Sequence, residues 1–209
     1  LCKGCLRQAY IYAALVVGLG NRNVTPDALG PRCIDSLFIT RHIVKEYGRY
    51  AFGNENVNSV CGLVPGVMAQ TGMECLEIIK GVVKETKPDF VVTIDALAAR
   101  STKRLGCTIQ LTDTGIVPGS GVGNHREGIN RENLGVPVIS IGIPTVIDAV
   151  TIVSDAVNAS SDNTKKMLSP KLNGMFVTPK DIDEKVKKLS GLISEGINMA
   201  FSNDEYGDE

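Results

Sequence analysis

Tryptophan is absent from the 209 residues, and phenylalanine and tyrosine occur only five times each. A chain so poor in aromatic rings has little with which to stack bases or build an aromatic cage. Neither sign of charge is in excess. With 22 Lys and Arg against 23 Asp and Glu, the formal net charge is -1, so nothing argues for a broad nucleic-acid or membrane surface. No apolar run reaches membrane-spanning length, and no charged-then-apolar leader is visible. Paired metal-type cysteine spacings are missing too. Cys2-x-x-Cys5 has no second pair and follows no thioredoxin-like strand, so an incidental pair competes with a metal or redox role. Cys33, Cys61, Cys75 and Cys107 are scattered among apolar segments, where small buried thiols are expected. This cysteine usage fits a reducing, cytoplasmic compartment.

What is present suits one sizeable core: 43% hydrophobic and 22% charged residues over 209 positions. The chain is read as a single α/β domain over 1–209, with 1–12 and 203–209 peripheral. Its organising stretch is Ala13 to Pro31, AALVVGLGNRNVTPDALGP. The apolar run Ala14 to Val17 predicts a buried strand. Gly18 and Gly20 end it, a polar loop holding Asp27 follows, and Gly30-Pro31 predicts a helix entry with Pro at the first position. In open α/β sheets, loops leaving the carboxyl ends of strands hold ligands. Asp27 therefore stands where chemistry is expected.

Strands and helices then alternate. The helix after Pro31 is predicted to run to about Gly48, with Ile34, Leu37, Phe38 and Val44 near one face and His42 as a surface or boundary residue. Val60 to Val64 predicts a second strand. Thr71-Gly72-Met73-Glu74 fits a capping box for a helix that turns Leu76, Ile79 and Val83 inward. Phe90 to Ile94 is the clearest strand. Asp95 follows it directly, and Ala96 to Ala99 favour helix. Cys107 to Leu111 predicts a fourth strand with edge character, ending near Asp113, before a long Gly-rich loop from Gly115 to Asn133. Pro137 to Ile143 predicts a fifth strand, with Pro144-Thr145 opening a helix. Thr178-Pro179 opens the last helix, through Ile182, Val186, Leu189, Ile193 and Ile197. Ser160 to Asn173 reads as a polar connection. The fold class is α/β: three layers, a mostly parallel open sheet with helices on both faces.

Two acids share one placement. Asp27 follows strand one and Asp95 the strand at Phe90 to Ile94, so a parallel sheet brings both to its carboxyl edge. Paired carboxylates in a partly dry cleft share a proton. Such a pair can take a proton from water and give one to a leaving amine. Each Asp alone reads equally well as a cap or turn residue. Asp113 is a third acid on that edge, with a turn residue as the stronger reading. Competing motifs fail on detail. Gly18-Leu19-Gly20 lacks the later glycine of a dinucleotide loop, Gly115 to Gly123 lacks the P-loop Lys, and Ser120 lacks the first glycine of a nucleophile elbow. His125 could join Asp27 and Asp95 in a metal site, against its reading as an ordinary loop histidine.

Gly18 to Pro31, Thr93 to Ser101 and Thr112 to Asn124, extended by Gly142 to Asp148 and Phe176 to Pro179, together resemble the spore germination protease family. The resemblance spans Ala13 to Phe201. Residues 1–12 fall outside it, and no propeptide or processing site is visible there. It implies a fold like that of hydrogenase maturation proteases. It also implies an endopeptidase that degrades small acid-soluble spore proteins at germination in the spore core. The implied mechanism is an atypical aspartic one, with Asp27 and Asp95 as the catalytic pair and no cofactor or metal. It further implies a zymogen and a homotetramer, with protein substrates rather than nucleic acid or membrane as partners. The resemblance implies a preference for cutting after Glu, so at least one of Arg22, Arg100, Arg104 and Arg126, all in loops, is a candidate holder of that carboxylate. Two other readings stay open: a metal-dependent maturation-type peptidase, and a non-catalytic peptide- or phosphate-binding module.

Overall fold

The β-branched, apolar segments of the sequence come together as one six-stranded sheet in the order β2-β1-β3-β5-β4, with β6 pairing the far end of β5. The computed structural model describes residues 11–53, 56–123, 126–156 and 170–202. The strands are β1 (Ala13–Gly18), β2 (Ser59–Leu63), β3 (Phe90–Ala99), β4 (Gln110–Thr112), β5 (Val138–Asp148) and β6 (Phe176–Val177). β1, β2, β3 and β5 run parallel, whereas β4 and β6 pair antiparallel with β5. Side-chain alternation divides each strand between two cores. Val16, Val92 and Ile94 face the layer of α1 (Leu29–Asp35) and α7 (Ile182–Phe201). Leu15, Val17 and Val91 face α4 (Cys75–Thr86) and α5 (Arg131–Leu134). The expected three-layer α/β arrangement is what forms.

Several local expectations are corrected. The helix at Pro31 starts two residues earlier, at Leu29, and stops at Asp35; a separate α2 covers Arg41–Tyr47. Thr40 explains the break. Its hydroxyl donates to the Asn58 carbonyl and accepts from Val60 N–H at 2.9 Å, so this segment covers the edge of β2 instead of continuing a helix. Phe38, expected near the core, is 61% exposed. The capping box sits three residues later than expected. Glu74 is the N-cap and Glu77 reaches back to its N–H at 2.8 Å, while Thr71 closes the short α3 (Met68–Thr71).

The largest departures lie at the carboxyl edge. Ala96 to Ala99 continue β3 and pair with β5, so Asp95 stands inside a strand rather than after one. Cross-strand pairing outweighs the helix propensity of the alanines. β5 likewise runs through Pro144-Thr145 to Asp148. Asp148 Oδ1 then accepts from Val150 N–H at 2.8 Å and Thr151 N–H at 3.2 Å, starting α6 (Ala149–Ala156). The last helix begins at Ile182, with Thr178 donating to the Thr145 carbonyl at 2.8 Å instead of capping. The fourth strand, expected from Cys107, starts at Gln110, and Cys107 is exposed rather than a buried thiol. The Gly115–Asn133 loop is tied across its base. Ile116 and Ile129 exchange hydrogen bonds of 2.9 and 2.7 Å, and Ile129 is fully buried. Cys2, Cys5, the 160–169 part of the polar connection and 203–209 lie outside the described residues.

Candidate active site

β1 and β3 set the two acids side by side. Gly18 pairs with Ile94, and Leu19 N–H donates to the Ile94 carbonyl at 2.8 Å, so the chain leaving β1 passes directly over Asp95. It then folds back through a 3-10 turn, Thr25–Asp27, with Pro26 inside the turn. Two glycines make this close passage possible. Gly20 has φ 108°, and a Cβ there would lie 2.1 Å from the Asp27 carbonyl oxygen. A Cβ on Gly30, in α1, would lie 2.4 Å from the Leu19 carbonyl oxygen and 2.5 Å from that of Ile94. The start of α1 thus rests on the strand ends and presses the Asp27 turn onto the sheet.

Asp27 Oδ2 accepts from Asn21 N–H at 2.7 Å, and Asp95 Oδ1 accepts from Ala96 N–H at 2.9 Å. Asp95 is 5% exposed. Its burial, and then the charge of Asp27, push its carboxyl up to about 7, against the Ala96 hydrogen bond. Asp27 is also raised by burial, opposed by the Asn21 hydrogen bond and the charge of Arg126. The charge of Asp27 discourages ionisation of Asp95, which therefore keeps its proton over a range where isolated aspartates are fully ionised.

Both carboxylates line one cavity of about 700 Å³. Arg100, Arg104 and Arg126 line it too, while Arg22 does not. Arg22 turns away to a two-pronged pair with Asp35 at the end of α1, one contact being 3.0 Å. Arg100 and Arg104 flank a short turn after β3. Asp155 of α6 holds that turn, with its Oδ2 accepting from Thr102 N–H at 2.9 Å, Thr102 Oγ1 at 3.0 Å and Ser101 Oγ at 3.3 Å. Asp113 is displaced from the site by strand direction. Because β4 is antiparallel, Gln110 at its start aligns with Gly142, which pairs with Asp95, and the strand runs away from there towards Asp113. Gln110 reaches the cavity.

Three features escape a reading of the sequence. Thr145, buried and on the cavity wall, sits where the β3–β5 register shifts between Leu97 and Ala98. Cys75 lines the cavity, and burial raises its thiol. Glu74 at the start of α4 pairs with Arg126 at 3.9 Å. Among the described residues, no group of three or more His, Cys, Asp or Glu side chains is placed to hold a metal ion, and no helix is long and apolar enough to cross a membrane. His125 lies outside the described residues.

The germination protease family model matches residues 8–160, a stretch containing both aspartates and all four arginines. The chain belongs to this family. A germination protease of Caldanaerobacter subterraneus subsp. tengcongensis is 50% identical over 213 residues, covering 90% of this chain and 65% of the relative. One from Clostridium perfringens is 45% identical, with the same shares covered. A Bacillus subtilis germination protease is 56% identical over 127 residues, 61% of this chain and 34% of the relative. The chain thus spans about two thirds of the length of these fuller relatives (65%). Among solved structures, the NiFe hydrogenase maturation protease HycI of Thermococcus kodakarensis is a distant likeness. It shares 20% identity at a TM-score of 0.42, covering 88% of this chain and 90% of that one. Within the germination protease family, this chain therefore offers a site of two aspartates and three arginines around one cavity.

Proposed function

We propose that this chain carries the catalytic part of an endopeptidase that begins the breakdown of small acid-soluble spore proteins at germination. The reading rests on one observation: the buried Asp95 shares a cavity with Asp27, in a chain of the germination protease family. In the proposed mechanism the ionised carboxylate takes a proton from a water molecule as that water attacks the scissile carbonyl carbon. The protonated partner donates its proton as the C–N bond breaks, so the amine leaves neutral and the pair ends with its one proton relocated. One member of the pair thus serves as base and the other as acid.

The cut after Glu is assigned to Arg100 and Arg104. Both line the cavity, and neither forms a salt bridge among the described residues, whereas Arg22 is occupied by Asp35 outside it. The family resemblance adds a zymogen, a homotetramer and the spore core to this reading.

The test is cleavage of a purified small acid-soluble spore protein by the chain, beside Asp27→Asn and Asp95→Asn, with and without chelator. Chelator-resistant cleavage, lowered at least about 10²-fold by either substitution, is the expected result. Loss of cleavage with chelator alone points to a metal-dependent peptidase. Peptide binding with no cleavage points to a binding module.

A further inference from the structure

Resting on the reading of this chain as a peptidase, we propose that Thr145 is a positioning residue, its hydroxyl hydrogen-bonding the main chain of the bound peptide about three residues before the scissile bond. Thr145 is 2% exposed and lines the cavity. Among the described residues, the other buried polar side chains have partners inside the fold. Thr40 has the Asn58 carbonyl, Thr93 has Ser140 at 2.8 Å, and Ser194 has the Cys33 carbonyl at 2.9 Å. Thr145 Oγ1 has no partner among them. It is not sealed off either, because the one side-chain oxygen or nitrogen there that is both enclosed and unpartnered is Ser154 Oγ. The Thr145 hydroxyl therefore opens on the cavity. An unpaired hydroxyl in a buried place weakens a fold, so its use lies with what the cavity binds.

The sheet aims the residue there. Leu97 pairs with Pro144 and Ala98 with Val146, so Thr145 is the extra residue of a bulge in β5. In an unbroken strand Thr145 and Val146 would face opposite sides of the sheet, yet both line the cavity. Two contacts hold the bulge. Gly106 N–H donates to the Pro144 carbonyl at 2.7 Å, and Thr178 Oγ1 donates to the Thr145 carbonyl at 2.8 Å. Asp95 pairs with Gly142, so Thr145 lies further along β5 by roughly 10 Å at the rise of a strand. That is too far to touch the reacting atoms, and it matches about three residues of an extended peptide. Arg100 and Arg104 lie on the same side of Asp95, past the end of β3. A peptide whose Glu reaches them therefore runs its preceding residues past Thr145. The nearby wall of Ala96, Leu97, Ala98 and Val146 offers such a chain no polar side chain. A hydroxyl can donate to a peptide carbonyl whatever side chain that residue carries.

The test compares Thr145→Val and Thr145→Ser with the parent chain. Thermal midpoints need no turnover. Val has nearly the shape of Thr without its hydroxyl, so Thr145→Val should melt no lower than the parent, because no bond inside the fold is lost. On a Glu-containing spore-protein peptide, its KM should rise about 5- to 10-fold with kcat little changed, as expected for one hydrogen bond made equally before and during the reaction. Thr145→Ser should keep most of the parent's KM. On a peptide cut back to two residues before the scissile bond, parent and Thr145→Val should behave alike. A lower midpoint, or a Thr145→Val chain that does not fold, overturns the proposal, since the hydroxyl would then serve the fold. So does an unchanged KM, a Ser variant that behaves like the Val variant, or a Val effect that survives the shortening. Binding of the long peptide, measured by calorimetry with and without Thr145→Val in an Asp27→Asn chain, reads the same contact without cleavage. A parent that binds but does not cut defeats the peptidase reading, while a binding difference of the expected size still assigns the contact to Thr145.

Discussion

Asp95 carries a cost that the rest of the molecule must cover. In an unfolded chain an aspartate titrates near 3.9, while folded Asp95 titrates at about 7. Between those values the folded state holds a proton that the unfolded state has lost. Stability therefore falls as pH rises through that window, and the whole cost is present above about 7. The separation corresponds to roughly 4 kcal/mol at most. Asp95→Asn removes the ionisation and keeps an oxygen able to accept from Ala96 N–H. We expect the variant to unfold at higher denaturant than the parent at pH 8, by up to a few kcal/mol, and to match it near pH 4. Urea midpoints at the two pH values check this; an equal gap at both would show that Asp95 is not buried as an acid. The sequence made Asp95 legible because a β-branched run ends beside it. It could not make Arg126–Glu74 legible, since nothing in residues so far apart announces that a loop and a helix start will meet.

At the scale of elements, the site is a matter of how closely α1 approaches the ends of β1 and β3. The order strand, polar loop, helix could be read from Ala13 to Pro31 because each part has its own composition. The continuation of β3 and β5 past Asp95 and Ile143 could not, because alanines and a Pro-Thr pair have no local reason to stay extended. The neighbouring strand supplies that reason. Gly30 ties the helix to the site. Adding a methyl group there meets two backbone oxygens at 2.4 and 2.5 Å, neither belonging to a flexible side chain. Gly30→Ala must therefore lift α1 and carry the Asp27 turn away from Asp95. We expect cleavage to fall at least about 10²-fold, because small misplacements of reacting groups cost that much. The thermal midpoint should fall too. Wild-type cleavage by a folded Gly30→Ala would mean that the pair does not depend on this contact.

Across the whole molecule, the final helix connects distant sequence to that same contact. α7 lies against α1 and the segment that follows it: Ser194 donates to the Cys33 carbonyl at 2.9 Å, and, beyond α1, Asn198 accepts from Phe38 N–H at 2.9 Å. Ile182, Val186, Ile193 and Ile197 fill one core with Val16, Val92 and Ile94 of the sheet. The apolar spacing of these residues predicts that helix and its buried face from sequence. Which face of the sheet it covers, and that it seats α1, depends on a chain path no local pattern records. If α1 is held in place by α7, weakening their shared core must loosen the site from a distance. Ile193, 6% exposed and far in sequence from either aspartate, is the residue to change. Ile193→Ala should cost about 2–5 kcal/mol through lost burial and a cavity. For a chain of this size, each kcal/mol lowers the thermal midpoint by roughly 2–4 °C. Unfolding followed by far-ultraviolet dichroism and by cleavage should move together, since the core and the Asp27 turn share α1. If cleavage persists above the temperature at which the helical signal is lost, the site holds itself, and α7 is only a cover for the sheet.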